Sequence, residues 1–178
     1  MPKNSAALKT HHHFTLRANG RLSSIETPIR VSTTPADQSV YDQPINYYQT
    51  KGLWDTGATN SCITAEVAKA IGAIPTGKTM VHGAHGPALT NTYLVDFVLP
   101  NTVRIISLKV TEVVSTVGGF GVIIGMDIIG MGDLCITNPG GKTVVSFRIP
   151  SDKEIDFANP PVVRTGGSNY TPPKKKRK

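Results

Sequence analysis

Gly52-Leu53-Trp54-Asp55-Thr56-Gly57-Ala58 sets one carboxylate directly after an apolar strand segment and follows it with turn residues. An acid so placed emerges at a strand end inside mostly apolar surroundings. Gly57 is expected to take a positive φ and to let a second backbone come close. Thr56 brings a hydroxyl that can bond a partner backbone and hold the turn rigid. Cys62-Ile63 then returns the chain to the core. Three residues such as Asp-Thr-Gly recur by chance, so the surroundings decide what this turn is.

Working outward, residues 45–54 read as a strand running straight into Asp55, with residues 27–32 as an earlier strand and 34–42 as a loop between them. After the turn comes the one convincing helix. Thr64 is a good N-cap, Glu66 complements the positive helix end, Val67, Ala68 and Ile71 form an apolar face, and Gly72 is a suitable stop. Residues 79–99 read as a long hairpin whose centre, His82-Gly83-Ala84-His85-Gly86-Pro87, is turn material. A further strand pair is expected over 103–116, and strands over 133–137 and 143–149. Between these lies Val122-Ile123-Ile124-Gly125, which closes 70 residues after Asp55 and leads into a helical turn over 126–130. No internal repeat supplies a second Asp-Thr-Gly.

The pairing of Asp55-Thr56-Gly57-Ala58 with Ile123-Ile124-Gly125 across a Gly-rich hairpin resembles the retropepsin-like aspartic peptidases. The resemblance covers about residues 27–150. Trp54-Asp55-Thr56-Gly57-Ala58-Thr59 and Ile124-Gly125-Met126-Asp127-Ile128-Ile129 look most like the cellular and bacterial single-domain members. It implies an all-β, closed, barrel-like acid-protease half-fold with one or two short helices. It implies Asp55 as the catalytic residue, supported by Thr56, Gly57, Ala58, Ile123, Ile124 and Gly125. His82, Gly83, Ala84, His85 and Gly86 would form a flap over a peptide substrate. One Asp55 per chain means that a homodimer must supply the second carboxylate. Two like charges in contact cannot both ionise easily, and the aspartic-protease dyad is the standard example of that effect. The ionised member would take a proton from water, which attacks the peptide carbonyl, while the protonated member donates to the carbonyl oxygen. No metal or cofactor is required. A catalytically silent dimerisation or peptide-binding module is the rival reading.

This sequence departs from many viral members, which carry Asp where Thr59 stands and Arg where Met126 stands. Both members of an ion pair are absent together. Ala58 replaces the Ser usual in pepsin-like enzymes, which should move activity toward less acidic pH. Neither Asp127 nor Asp133 sits in an Asp-Thr-Gly or Asp-Ser-Gly turn, so neither reads as the second acid.

Composition agrees with one domain. The chain has 178 residues, 39% hydrophobic, with 17 Gly and 13 Pro, which favours an all-β fold with many turns. The domain is expected over 25–150, with flexible extensions at 1–24 and 151–178. Of the net charge of +7, five units belong to Lys174, Lys175, Lys176, Arg177 and Lys178, so the body is close to neutral. That tail resembles a monopartite nuclear-import signal. It reads as a solvated end, as a weak contact with nucleic acid or an anionic surface, or as import-receptor binding in a eukaryotic host. Cys62 and Cys135, the two cysteines, read as small buried thiols. His11-His12-His13 is at most a weak adventitious metal site, and His82 with His85 is two ligands too few. Gly141-Lys142-Thr143 has Ile136 where a phosphate loop needs its first glycine. The longest apolar run, 120–131, is too short for a bilayer, and residues 1–10 lack a secretory apolar core. The chain reads as cytoplasmic, or nuclear if the basic tail works as an import signal.

Overall fold

The computed structural model describes residues 10–37, 45–83, 86–113, 118–152 and 154–158. The readings placed on Ala84, His85, Lys174, Lys175, Lys176, Arg177 and Lys178 lie outside these residues. The molecule is mostly strand: β1 (His12–Arg17), β2 (Glu26–Thr33), β3 (Tyr48–Trp54), β4 (Cys62–Thr64), β5 (Gly77–Gly83), β6 (Gly86–Val98), β7 (Arg104–Val113), β8 (Val122–Ile124), β9 (Asp133–Thr137) and β10 (Val144–Ile149). Two short helices, α1 (Ala65–Ala70) and α2 (Met126–Ile129), complete it.

Seven strands form one sheet in the order β2-β3-β8-β4-β7-β6-β5, and β2 also pairs with β6. Six of them therefore close into a ring, and β5 hangs from β6 as an edge strand. The closed, all-β expectation holds. Alternation explains which side chains fill the ring. Ile29, Val31, Ile63, Val95, Phe97, Val110, Val122 and Ile124 all point inward and are fully buried. Thr64 caps α1 by accepting from the Val67 amide at 3.2 Å, and Gly72, at φ +65°, ends the helix as expected. The strand pair expected over 103–116 is instead the single long β7, whose residues pair with β6 at Arg104, Ile105 and, after a register shift, Leu108–Thr111, and with β4 at Thr111–Val113.

A three-stranded sheet, β1-β10-β9, packs beside the ring, and here the structure corrects the expectation of a flexible extension over 1–24. β1 pairs residue for residue with β10, from His12 opposite Ile149 to Arg17 opposite Val144. The physical reason is Phe14. Its ring lies 5.6 Å from Trp54 and 6.2 Å from Phe147, which are themselves 4.9 Å apart. This tilted trio joins the two sheets directly beneath the strand end that carries Asp55. Only two apolar residues, Phe14 and Leu16, alternate in β1, which is too little for a sequence pattern to stand out.

The chain just past β10 is also held. Ser151 Oγ donates to Asp133 at 2.6 Å, Arg148 Nε donates at 2.6 Å, and the Asp152 amide donates at 3.1 Å. The hydroxyl, the guanidinium and the amide, in that order, hold the Asp133 carboxyl at about 2 against the ordinary 3.8, although burial opposes them.

Two predictions follow from this architecture. Phe14→Ala should destabilise the protein by about 2–3 kcal/mol, lowering the thermal midpoint by roughly 5–10 °C, whereas a flexible extension would show no change. Because the Asp133 pKa is depressed, its stabilisation is present above the unfolded value near 3.8 and is lost as pH falls through about 2. The stability difference between wild type and Asp133→Asn, followed by thermal melts, should therefore shrink as pH falls from 5 toward 2.

Candidate active site

Asp55 is the first residue beyond β3, and its position is set by a parallel pairing. β3 and β8 run side by side, with Gly52 opposite Val122, Leu53 opposite Ile123 and Trp54 opposite Ile124. The ladder continues one step further, as the Asp55 amide donates to the Ile124 carbonyl at 3.0 Å. Trp54 is locked below it, its indole Nε1–H donating to Thr27 Oγ1 at 2.9 Å inside the core.

The turn then closes on itself. The Ala58 amide donates to the Asp55 carbonyl at 3.2 Å, and the Gly57 amide donates to Asp55 Oδ1 at 2.8 Å. Gly57 is not at positive φ, contrary to the expectation. Its missing side chain serves a different end: a Cβ there would stand 3.1 Å from Asp55 Oδ1, crowding the carboxylate off the amide. Asp55 is half-buried, and Thr56 and Gly57 are exposed, so the turn faces outward with its carboxylate accessible.

Gly125 is where the second motif meets the first. A Cβ on it would lie 2.7 Å from the Asn60 carbonyl carbon and 2.9 Å from the Ala58 oxygen, both backbone atoms that cannot yield cheaply. With no Cβ, the two loops touch and cross-bond. The Met126 amide donates to the Ala58 carbonyl at 2.8 Å, and the Asp127 amide donates to the Thr59 carbonyl at 3.2 Å. Asp55, Thr56, Gly57, Ala58, Ile124 and Gly125 are thus assembled in one place, with Ile123 half-buried alongside. His82, Gly83 and Gly86 lie on the β5–β6 hairpin, where His82 is opposite Pro87 and exposed.

Sequence reasoning missed a polar clamp. Ser61 is fully buried; its hydroxyl accepts from the Gly125 amide at 3.0 Å and donates to Asp127 Oδ1 at 2.7 Å. Its own amide donates to Asp127 Oδ2 at 2.8 Å. Asp127 anchors the chain leaving the Asp55 turn to the start of α2. A Ser followed by an apolar pair gives no signal of this, because its partners are more than 60 residues away. Next to it, the Cys62 thiol is half-buried and 3.1 Å from Thr111 Oγ1. Burial pushes that thiol up from its ordinary 9.0, against the hydrogen bond to Thr111. Cys135 is likewise a free, half-buried thiol. Among the described residues, no three His, Cys, Asp or Glu side chains gather as metal ligands would.

Two shallow clefts flank the turn. One, of about 510 Å3, has Leu53, Trp54 and Asp55 on one side and the segment from Arg21 to Ile25 on the other. The second, of about 520 Å3, starts at Thr56 and is lined by Met126, Ile129, Leu134 and Ile136.

The family described as Aspartyl protease matches residues 44–128, the span from just before β3 through Asp55 into α2. No curated protein matches the chain. Among solved structures, a retropepsin-like aspartic protease from Rickettsia conorii is similar at 13% identity and a TM-score of 0.46, covering 79% of this chain and 96% of that one. The foamy viral protease-reverse transcriptase solved with an RNA/DNA hybrid is similar at 21% identity and a TM-score of 0.37, over 58% of this chain and 11% of that one. The Simian Foamy Virus (mac) protease is similar at 13% identity and a TM-score of 0.35, over 58% and 92%. These are distant likenesses. The match over 44–128 upholds the resemblance read from the sequence, that of a retropepsin-like aspartic peptidase.

Ser61→Ala strips the Gly125 amide and Asp127 of a buried partner and should cost about 1–3 kcal/mol, measured by urea denaturation. Gly125→Ala should cost more than Ser61→Ala in the same titration, because its Cβ meets backbone rather than a movable side chain.

Proposed function

We propose that this chain is an aspartic endopeptidase that works as a homodimer, each subunit giving one Asp55 to a shared site. The observation that carries the reading is the outward-facing Asp55 carboxylate, held over the Gly57 amide in a turn that two motifs brace. Only one such acid is present per chain, so a water held between two of them needs two chains. Thr56, exposed at the turn, meets its counterpart across the twofold axis. Met126 and Ile136, exposed beside it at 42% and 48%, give that contact an apolar margin.

In the dyad one carboxylate is ionised and accepts a proton from the bound water, whose oxygen attacks the peptide carbonyl. The other carboxyl donates its proton to the carbonyl oxygen, and the tetrahedral adduct collapses as the amine nitrogen is protonated. His82, Gly83, Ala84, His85 and Gly86 close over the substrate. The catalytic domain spans about 25–150, joined by β1 from the segment before it. The protein acts in the cytoplasm, or in the nucleus if the basic tail serves as an import signal there.

Asp55→Asn should reduce cleavage of a mixed peptide library by about 10²–10⁴-fold, with sedimentation showing the same dimer as wild type. Dilution should reduce specific activity as dimers dissociate. Equal cleavage by both proteins, or full activity from a strict monomer, overturns the reading.

A further inference from the structure

Among the described residues, the cleft that opens beside Asp55 is lined by one cation, and the fold holds the backbone that carries it. Arg21 lies in the connection between β1 and β2, which is pinned at every turn. The Ala18 amide donates to the Thr143 carbonyl at 2.9 Å, and the Thr143 amide donates to the Gly20 carbonyl at 3.0 Å. The Leu22 amide donates to Thr143 Oγ1 at 2.9 Å, and the Trp54 amide reaches the Ile25 carbonyl at 2.9 Å. Thr143 is itself buried, its hydroxyl donating to Asn138 Oδ1 at 2.7 Å. A single buried threonine thus grips the residues on both sides of Arg21. That fixes the Arg21 backbone beside the cleft that Leu53, Trp54 and Asp55 also line.

Arg21 is exposed and has no ion-pair partner among the described residues. Glu26 and Lys51, on the neighbouring strands, pair with each other at 3.4 Å. Among the described residues Asp55 is the one carboxylate lining the cleft, and in the peptidase it is committed to the bound water. An unneutralised guanidinium, five donors in a planar fork, in a cleft that Ile25, Leu53 and Trp54 also line suits a side chain that ends in a carboxylate on an aliphatic stem.

The geometry points to Arg21 as a specificity-determining residue that selects an acidic side chain, glutamate above aspartate, close to the scissile bond of a peptide substrate. This rests on the peptidase reading, which it deepens by naming a substrate class. The stem lies on Leu53, Trp54 and Ile25, and the carboxylate meets the guanidinium at the rim. Arg21 touches substrate but takes no part in proton transfer.

The test uses the full-length chain in two arms with one mixed peptide library: cleavage-site profiling with wild type, and retention of uncleaved peptides by immobilised Asp55→Asn. Both arms should show Glu enriched roughly three- to tenfold at one position near the scissile bond, as expected for a charge-assisted contact at a partly exposed site. The enrichment should fade at high salt. Arg21→Gln should abolish it with little loss on neutral peptides, and Arg21→Glu should turn the preference toward Lys and Arg. Acidic enrichment that survives Arg21→Gln overturns the proposal, as does wild-type cleavage with no acidic preference, though the peptidase reading then stands. An Arg21→Gln variant that alters sedimentation but leaves the profile unchanged also overturns it, assigning Arg21 to the subunit contact. Acid-enriched retention without any cleavage supports the role of Arg21 and overturns the peptidase.

Discussion

Everything at the site depends on the parallel pairing of β3 with β8. Antiparallel neighbours can be joined by a two-residue turn, but parallel strands need a crossover, and here the crossover is most of the ring. β4, α1, the β5–β6 hairpin and β7 all lie between the two strands in sequence. The pairing therefore joins strands far apart in sequence, and its loop-closure entropy is offset by the buried interior side chains. Once formed, it sets two strand ends side by side. One end becomes the Asp55 turn, and the other becomes the Gly125 approach.

From that pairing the local chemistry follows step by step. Because the Asp55 amide is engaged by Ile124, the carboxylate side chain is turned toward the Gly57 amide rather than into the core. Because Gly125 lacks a Cβ, the chain after Ala58 can lie against it, and four backbone amides and one buried hydroxyl stitch the two loops together. The aromatic trio of Phe14, Trp54 and Phe147 works from below. It couples the second sheet to the strand that ends in Asp55, so the β1–β2 connection runs past the site instead of away from it.

Much of this was legible in the chain itself. The Asp55 turn, the capped α1, the hairpin and the glycine closing Val122–Ile124 all rest on local signals: a cap residue, a period of two, a breaker at the right place. The misreadings have a common cause. Gly57 looked like a positive-φ residue because glycine is permissive, yet what it supplies is space for a carboxylate. β1 looked like a loose extension because two alternating apolar residues are a weak pattern, and its stability comes from β10, more than a hundred residues later. Ser61 and Asp127 looked unremarkable because a hydrogen bond between residues 66 positions apart has no local signature.

By itself the sequence determined the candidate site residues and their number: one Asp-Thr-Gly-Ala turn, one apolar-apolar-Gly, and therefore one candidate carboxylate of this kind per chain. Residue identity and short-range spacing are enough for that, since an acid at a strand end and the glycines around it are local requirements. Only the tertiary structure decided what surrounds Asp55. Ser61, Asp127, Thr143 and Arg21 reach the site through ring closure and the docking of β1 on β10. Contacts made at such long range depend on how the whole interior packs, and no window of neighbouring residues contains that information.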